Sequence, residues 1–130
     1  MGRDNLDDTG AVEARIRPHE NTTDQRTGTS CAEFAGAGYY EVFRPVNAGL
    51  TTVSVWVQRD ANYTGSNPKL EVFNIPGVAD QSDIQTGGSG SYEELTVSFT
   101  PTETGWVRIR LTSQDTSATG LCFFDDLSVS

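Results

Sequence analysis

The chain has 130 residues, and its 9 Lys and Arg residues against 18 Asp and Glu residues give a formal charge of −9 at pH 7. This length fits one domain, residues 1–130, with residues 1–10 as an N-terminal segment packed along it. The negative charge disfavours a nucleic-acid ligand, no apolar run approaches the roughly 18 residues that span a bilayer, and two Cys with one His give little material for a zinc site.

Short stretches of alternating apolar and polar residues predict β-strands along the whole chain. Residues 80–84 form one helical turn at most, and no other segment has helical periodicity. Strands are predicted, in chain order, over residues 12–17, 30–34, 39–44, 51–59, 70–72, 95–99, 107–111 and 121–129. With 13 Gly and 5 Pro residues available for turns, this spacing predicts an all-β, two-sheet antiparallel β-sandwich of about eight or nine strands.

Four segments, taken in order, resemble one family. They are Tyr-Tyr-Glu-Val at 39–42, Pro-Val-Asn-Ala-Gly at 45–49, Val-Ser-Val-Trp-Val at 53–57 and Phe-Phe-Asp-Asp-Leu-Ser-Val at 123–129. Together they are similar to the galactose-binding-like jelly roll of carbohydrate-binding modules. Residues 62–70 also resemble a segment of jelly-roll structural proteins of tailed bacteriophages. The resemblance covers residues 12–130 and implies the fold, whereas one fold serves many functions.

Aromatic and basic residues mark candidate binding surfaces. Trp56 has the opposite parity to the valines of its strand, and Trp106 shares its outward face with Arg108 and Arg110. Exposed Trp residues beside polar groups stack on sugar rings or anchor protein interfaces. Burial at strand ends is the alternative for each aromatic residue. The full set of predicted ligand or interface residues is Trp56, Trp106, Arg108, Arg110, Tyr39 and Tyr63.

A pair of acidic residues lies in the last predicted strand. By parity, Asp125 shares a face with Phe123, Leu127 and Val129, whereas Asp126 points the other way. An inward carboxylate needs a partner. In the resembling modules, a carboxylate at this place helps to bind a structural calcium near the N-terminal segment. Here the remaining oxygen ligands would come from Asp4, Asp7, Asp8 and Glu13. An ion pair with Arg15 or Arg17, or a bond from a backbone amide, is the alternative.

The two cysteines allow two interpretations. Cys31 and Cys122 lie on strands that are neighbours in the resembling fold, so they could form a disulfide. The chain has no recognisable signal peptide, which favours synthesis in a reducing cytosol and two buried free thiols. Both interpretations stay open at the level of sequence.

The sequence predicts no catalytic residues and no required cofactor, and the structural calcium is the one candidate metal. His19 falls in a predicted solvated loop without a matching Ser elbow. We therefore expect a non-enzymatic adhesion or structural module. The first prediction is a bacteriophage virion surface protein, made in the host cytoplasm, that docks on a capsid or on copies of itself. The alternative is a carbohydrate-binding module of a secreted, extracellular glycan-active enzyme. Neither requires membrane insertion.

Overall fold

The computed structural model describes residues 19–28 and 31–130, which form nine strands and no helix. Every strand pairing is antiparallel. The strands are β1 (His19–Asn21), β2 (Cys31–Ala35), β3 (Ala37–Val46), β4 (Thr51–Arg59), β5 (Lys69–Phe73), β6 (Gln81–Ile84), β7 (Glu93–Phe99), β8 (Gly105–Gln114) and β9 (Leu121–Val129). Within these residues, no helix is long and apolar enough to cross a membrane.

The strands form two sheets that share one hydrophobic core. The order is β1-β2-β9-β4-β7 in the five-stranded sheet and β3-β8-β5-β6 in the four-stranded sheet. Strand alternation places one side chain in two inward, so each sheet contributes one apolar face. The rings of Phe34 and Phe124 meet edge to face, with centroids 5.9 Å apart. The two-sheet β-sandwich predicted from the sequence is confirmed.

Two local predictions meet a different outcome, and a third cannot be compared. Residues 81–84 are strand β6 rather than a helical turn, because hydrogen bonding to β5 decides the conformation of so short a segment. His19 lies in β1, paired with Glu33 of β2, rather than in a loop. The strand predicted over residues 12–17 lies outside the described residues.

A β-bulge changes the expected parity of the last strand. The register between β4 and β9 shifts between Ser54 and Trp56, and Asp126 has a φ of 57°. An extra residue in one strand reverses the alternation beyond it. Asp125 therefore points outward opposite Trp56, whereas Leu127 points into the core. The prediction that these two residues share a face was wrong.

Candidate functional site

The two tryptophans lie on opposite outer faces of the sandwich. Trp56 is on β4 of the five-stranded sheet, and Trp106 is on β8 of the four-stranded sheet. Trp106 is 64% exposed, whereas Trp56 is half-buried. The sequence interpretation grouped the two residues in one set of binding residues. Because they lie on opposite sides of the sandwich, they cannot belong to one docking surface. We call the two outer surfaces the Trp56 face and the Trp106 face, after these residues.

The Trp56 face consists of the outward positions of β2, β9, β4 and β7, and residues 22–28 cover part of it. The guanidinium of Arg26 lies 3.6 Å from the ring centroid of Trp56, a cation–π distance. The same guanidinium is 2.8 Å from the carboxylate of Asp126, and the Thr27 hydroxyl donates to that carboxylate at 2.6 Å. Trp56 points outward as predicted, but Arg26, from a loop distant in sequence, covers part of its ring.

Asp125 holds this loop in place. Its side chain is fully buried, and its Oδ2 accepts the backbone N–H groups of Arg26 at 2.9 Å and Thr27 at 3.2 Å. Its Oδ1 accepts the N–H of Asp126 at 2.9 Å. Burial raises the pKa of Asp125 above its ordinary value and outweighs these three amide bonds, which lower it. Of the alternatives for Asp125, the backbone-amide bond is the one observed.

Of the predicted calcium ligands, only Asp125 lies among the residues whose structure is described. The described residues contain no group of three or more His, Cys, Asp or Glu side chains that could hold a metal ion. Both carboxylate oxygens of Asp125 accept hydrogen bonds from backbone N–H groups, and a cation would have to displace these donors. The other predicted ligands, and the alternative partners Arg15 and Arg17, lie outside the described residues; those ligands are Asp4, Asp7, Asp8 and Glu13. The calcium site stays a prediction.

Tyr63 has a structural role instead of the predicted binding role. Its side chain is buried in the core. Its hydroxyl donates to the carbonyl oxygen of Ser66 at 2.7 Å and accepts the N–H of Gln114 at 2.8 Å. Burial raises the pKa of Tyr63 to about 12. The ring therefore ties the loop after β4 to the end of β8 and is not available to a ligand.

Both cysteines are free and buried, which decides against the disulfide. Their strands are neighbours, as the resemblance implied, but the register pairs Cys122 with Phe34, three residues along β2 from Cys31. Three strand residues span about 10 Å, beyond the roughly 7 Å limit between bridged Cα atoms. The two side chains also have opposite parity: Cys122 belongs to the core, whereas Cys31 lies on the outer side. Burial raises the pKa of the Cys31 thiol to about 11.

The Trp106 face is formed by the outward positions of the four-stranded sheet. It brings together Trp106, Arg108, Arg110 and Tyr39, which were predicted from the sequence. Register then adds residues that sequence reasoning missed, because β3 and β5 flank β8 on either side. The face comprises Ala37, Tyr39, Glu41, Phe43, Pro45, Lys69, Glu71, Phe73, Ser82, Ile84, Trp106, Arg108, Arg110, Thr112 and Gln114.

A buried carboxylate organises the arginines of this face. Glu41 is fully buried on β3, directly opposite Arg110 on β8. Its Oε2 accepts the Nε–H of Arg110 at 2.7 Å and lies 2.7 Å from a terminal nitrogen of the same guanidinium. The Nε of Arg108 is 3.3 Å from the same oxygen. Two guanidiniums therefore share one carboxylate oxygen: Arg110 is hydrogen-bonded to it, whereas Arg108 is held by the ion pair alone.

The arginines also stack against aromatic rings. The guanidinium of Arg110 lies 4.2 Å from the ring centroid of Tyr39 and 4.9 Å from that of Phe73. The guanidinium of Arg108 is 5.1 Å from the same Phe73 ring. These contacts form a row across three strands, β3, β8 and β5. The rings of Tyr39 and Phe73 are thus already in contact with cations, and Trp106 keeps the most exposed ring of the face.

Comparison with known proteins identifies the fold. No family model matches the chain, and no curated protein sequence does. A family 16 carbohydrate-binding module matches with a TM-score of 0.67 and 16% identity, covering 97% of this chain and 99% of its own. A family 61 carbohydrate-binding module in complex with β-1,4-galactotriose matches with a TM-score of 0.65 and 18% identity, covering 94% of this chain and 91% of its own.

A bacteriophage structure also matches. The enzymatically active domain of tailspike protein 4 of bacteriophage CBA120 has a TM-score of 0.59 and 4% identity, covering 92% of this chain and 18% of its own. At such identities the likeness shows the fold alone. The two higher-scoring of these three structures are carbohydrate-binding modules. The chain has the β-sandwich fold of such modules.

Proposed function

We propose that the chain is a non-catalytic carbohydrate-binding module whose glycan lies on the Trp106 face. One observation carries the proposal: a Trp that is 64% exposed stands next to arginines fixed by a buried carboxylate. An exposed indole offers an apolar plane for a sugar ring, and fixed guanidiniums offer hydrogen-bond donors for its oxygens. Such a site loses little side-chain entropy on binding, because its polar groups are already ordered.

The geometry of the sheet gives the ligand a direction. Trp106, Arg108 and Arg110 follow one another at alternate positions of β8, so they form a row of side chains about 7 Å apart. Phe43 on β3 is 46% exposed and pairs with Arg108 on β8, so it adds apolar surface beside this row. At the far end, a cavity of about 300 Å³ is lined by Tyr39, Thr112 and their neighbours. An extended glycan that lies along β8 would stack on Trp106 at one end and form polar contacts with Arg108 and Arg110 further along.

Affinity gel electrophoresis tests this function. The chain is run through gels containing β-1,4-galactan, xylan, pectin or no polysaccharide, and retardation in at least one gel is expected. Trp106→Ala should weaken that retardation by about tenfold or more in apparent affinity, as expected for a central aromatic anchor. Leu50→Ala removes a 74% exposed side chain outside the Trp106 face and is the matched control.

The outcomes separate the candidate surfaces. Retardation that survives Trp106→Ala would place the glycan elsewhere and overturn the proposed site. Absence of retardation on every polysaccharide would overturn the module itself. Thermal unfolding of both variants checks that their folds are intact, which we expect because both side chains are exposed.

A further inference from the structure

The two outer faces of the sandwich carry opposite charge among the described residues. On the Trp106 face, the outward positions hold three cations, Lys69, Arg108 and Arg110, and two carboxylates, Glu41 and Glu71. The Trp56 face has the reverse balance. Its outward positions on β2, β7 and β9 hold Glu33, Glu94, Asp125 and Asp126, and the loop above them adds Arg26 and Asp24.

The carboxylates of the Trp106 face are more deeply buried than its cations, so the accessible surface is more positive than the residue count suggests. The side chain of Glu41 has no exposure, and that of Glu71 has 18%. The cations above them are more accessible, at 29% for Arg108, 25% for Arg110 and 32% for Lys69. A ligand approaching this face therefore meets cationic groups, while the carboxylates that hold them lie underneath. A cluster of exposed positive charges raises the local concentration of anions.

The carboxylates leave part of each cation available. Glu41 engages both arginines through one oxygen, Oε2, although a guanidinium has five N–H donors. Lys69 is 3.5 Å from Glu71, whose other oxygen accepts the Thr112 hydroxyl at 3.1 Å. Because Lys69 pairs with Thr112 in the β5–β8 register, it continues the row beyond Arg110. The result is a line of three cations that begins beside Trp106.

We propose that the Trp106 face selects an anionic glycan, a polysaccharide bearing carboxylate or sulfate groups, with Trp106 stacking on a sugar ring and Arg108, Arg110 and Lys69 binding the anionic groups. This proposal rests on the function proposed above. Guanidiniums bind planar carboxylates and sulfates through paired, charge-assisted hydrogen bonds. The formal charge of −9 opposes a densely charged polyanion such as nucleic acid. A glycan with spaced charges and apolar sugar faces suits a face of three cations and one exposed indole.

The experiment compares polymers that differ in charge but share a backbone. Polygalacturonate is paired with its highly methyl-esterified form, and sparsely sulfated dextran with dextran, each in affinity gels at low salt. We expect the anionic member of at least one pair to bind about tenfold or more tightly than its neutral counterpart. That difference should shrink as NaCl rises from about 0.05 M to about 0.5 M, because salt screens exposed charges. The pair that shows it identifies the anion.

Three variants locate the effect. Arg110→Gln and Lys69→Gln should each reduce the anionic preference. Lys69→Gln leaves both arginines on Glu41, so it tests the charge even if Arg110→Gln disturbs the sheet. Arg26→Gln removes the same charge from the opposite face, where the backbone contact to Asp125 remains, and should leave the preference unchanged.

Each remaining outcome has a defined meaning. Equal binding to charged and neutral members, still dependent on Trp106, would overturn the anionic selectivity and leave the carbohydrate-binding function standing. Absence of binding to any of the polymers, including xylan and galactan, would overturn both. A single-stranded DNA oligonucleotide is included as a polyanion without a polysaccharide backbone. Binding of that oligonucleotide as tight as binding of the anionic glycan would overturn the glycan assignment.

Discussion

The two outer faces use the same side-chain chemistry for different ends. Each places a guanidinium against an aromatic ring and next to a carboxylate. The residues are Arg26, Trp56 and Asp126 on one face, and Arg110, Tyr39 and Glu41 on the other. On the Trp56 face, the arginine comes from a loop and covers the ring. On the Trp106 face, both arginines come from β8 and pair with Glu41, and the adjacent Trp106 stays exposed.

The difference lies in which part of the chain supplies the arginine. Arg26 comes from a loop, and the backbone N–H groups of this loop donate to Asp125. The loop therefore covers the surface, and its polar groups are paired within the protein. A strand residue brings no such cover, so its donors stay accessible to a ligand. We therefore expect substitutions on the Trp56 face to change stability, and substitutions on the Trp106 face to change binding.

The largest expected effect is on the Trp56 face. Asp125→Ala should lower the free energy of unfolding by about 3 kcal/mol, because it removes a buried carboxylate that accepts three amide N–H groups. Urea unfolding measures this, with Thr96→Ala at an exposed position of β7 as the control. Glycan binding by the folded protein should not change. A loss below about 1 kcal/mol would mean that these amides do not depend on Asp125.

Next in size is the buried carboxylate of the Trp106 face. Glu41→Gln should cost about 2 kcal/mol, since two guanidiniums lose their shared counter-charge but are exposed enough to turn toward water. Glu71→Gln is the matched control; its partners are a partly exposed Lys and a Thr hydroxyl, so its cost should be below about 1 kcal/mol. Equal costs for the two variants would contradict the central position of Glu41.

Arg26→Gln should cost about 1 kcal/mol of stability, through loss of the contact with Trp56 and of the ion pair with Asp126. Indole fluorescence should also respond, because the ring of Trp56 becomes more accessible to a quencher such as acrylamide. A Trp106→Phe background isolates that signal, because Trp56 is then the only indole in the chain. Unchanged quenching would show that other loop atoms, rather than the guanidinium, cover the ring.

The smallest effect is a dependence on pH. The pKa of Asp125 is raised above its ordinary value of 3.8 by burial, so in the window between the two values the folded chain keeps a proton that the unfolded chain releases. Its contribution to stability is therefore full below 3.8 and is lost as pH rises through the native pKa. The stability of the wild type relative to Asp125→Asn should fall in that window. A difference that rises with pH would contradict the direction of the shift.

Local patterns predicted more of the Trp106 face than of the Trp56 face. The alternation of β8 alone placed Trp106, Arg108 and Arg110 together, because outward positions of one strand are neighbours by geometry. Glu41 was missed because its burial depends on the register of β3 against β8, two strands about 60 residues apart in the chain. Parity within a strand does identify Glu41 as outward. It cannot show that two arginines from another strand would cover it.

The Trp56 face depended on information that a sequence pattern does not contain. Alternation predicts that Trp56 points outward, and it does. The loop that covers it contains Arg26, 30 residues earlier in the chain. The parity assigned to Asp125 failed at the bulge, where one extra residue reverses the order of faces. The separation of Cys31 from Cys122 likewise follows from register, since their strands are adjacent as expected.

The sequence by itself determined the all-β class, the approximate number of strands and the direction of most side chains in the long strands β4 and β8. Those features follow from period-two alternation, which is local and strong. The tertiary structure decided which outward residues are covered, which carboxylate holds which arginine, and that Trp56 and Trp106 lie on opposite sides. These outcomes depend on sheet order, register and one bulge, because contacts between residues distant in the chain are set by packing of the whole sandwich.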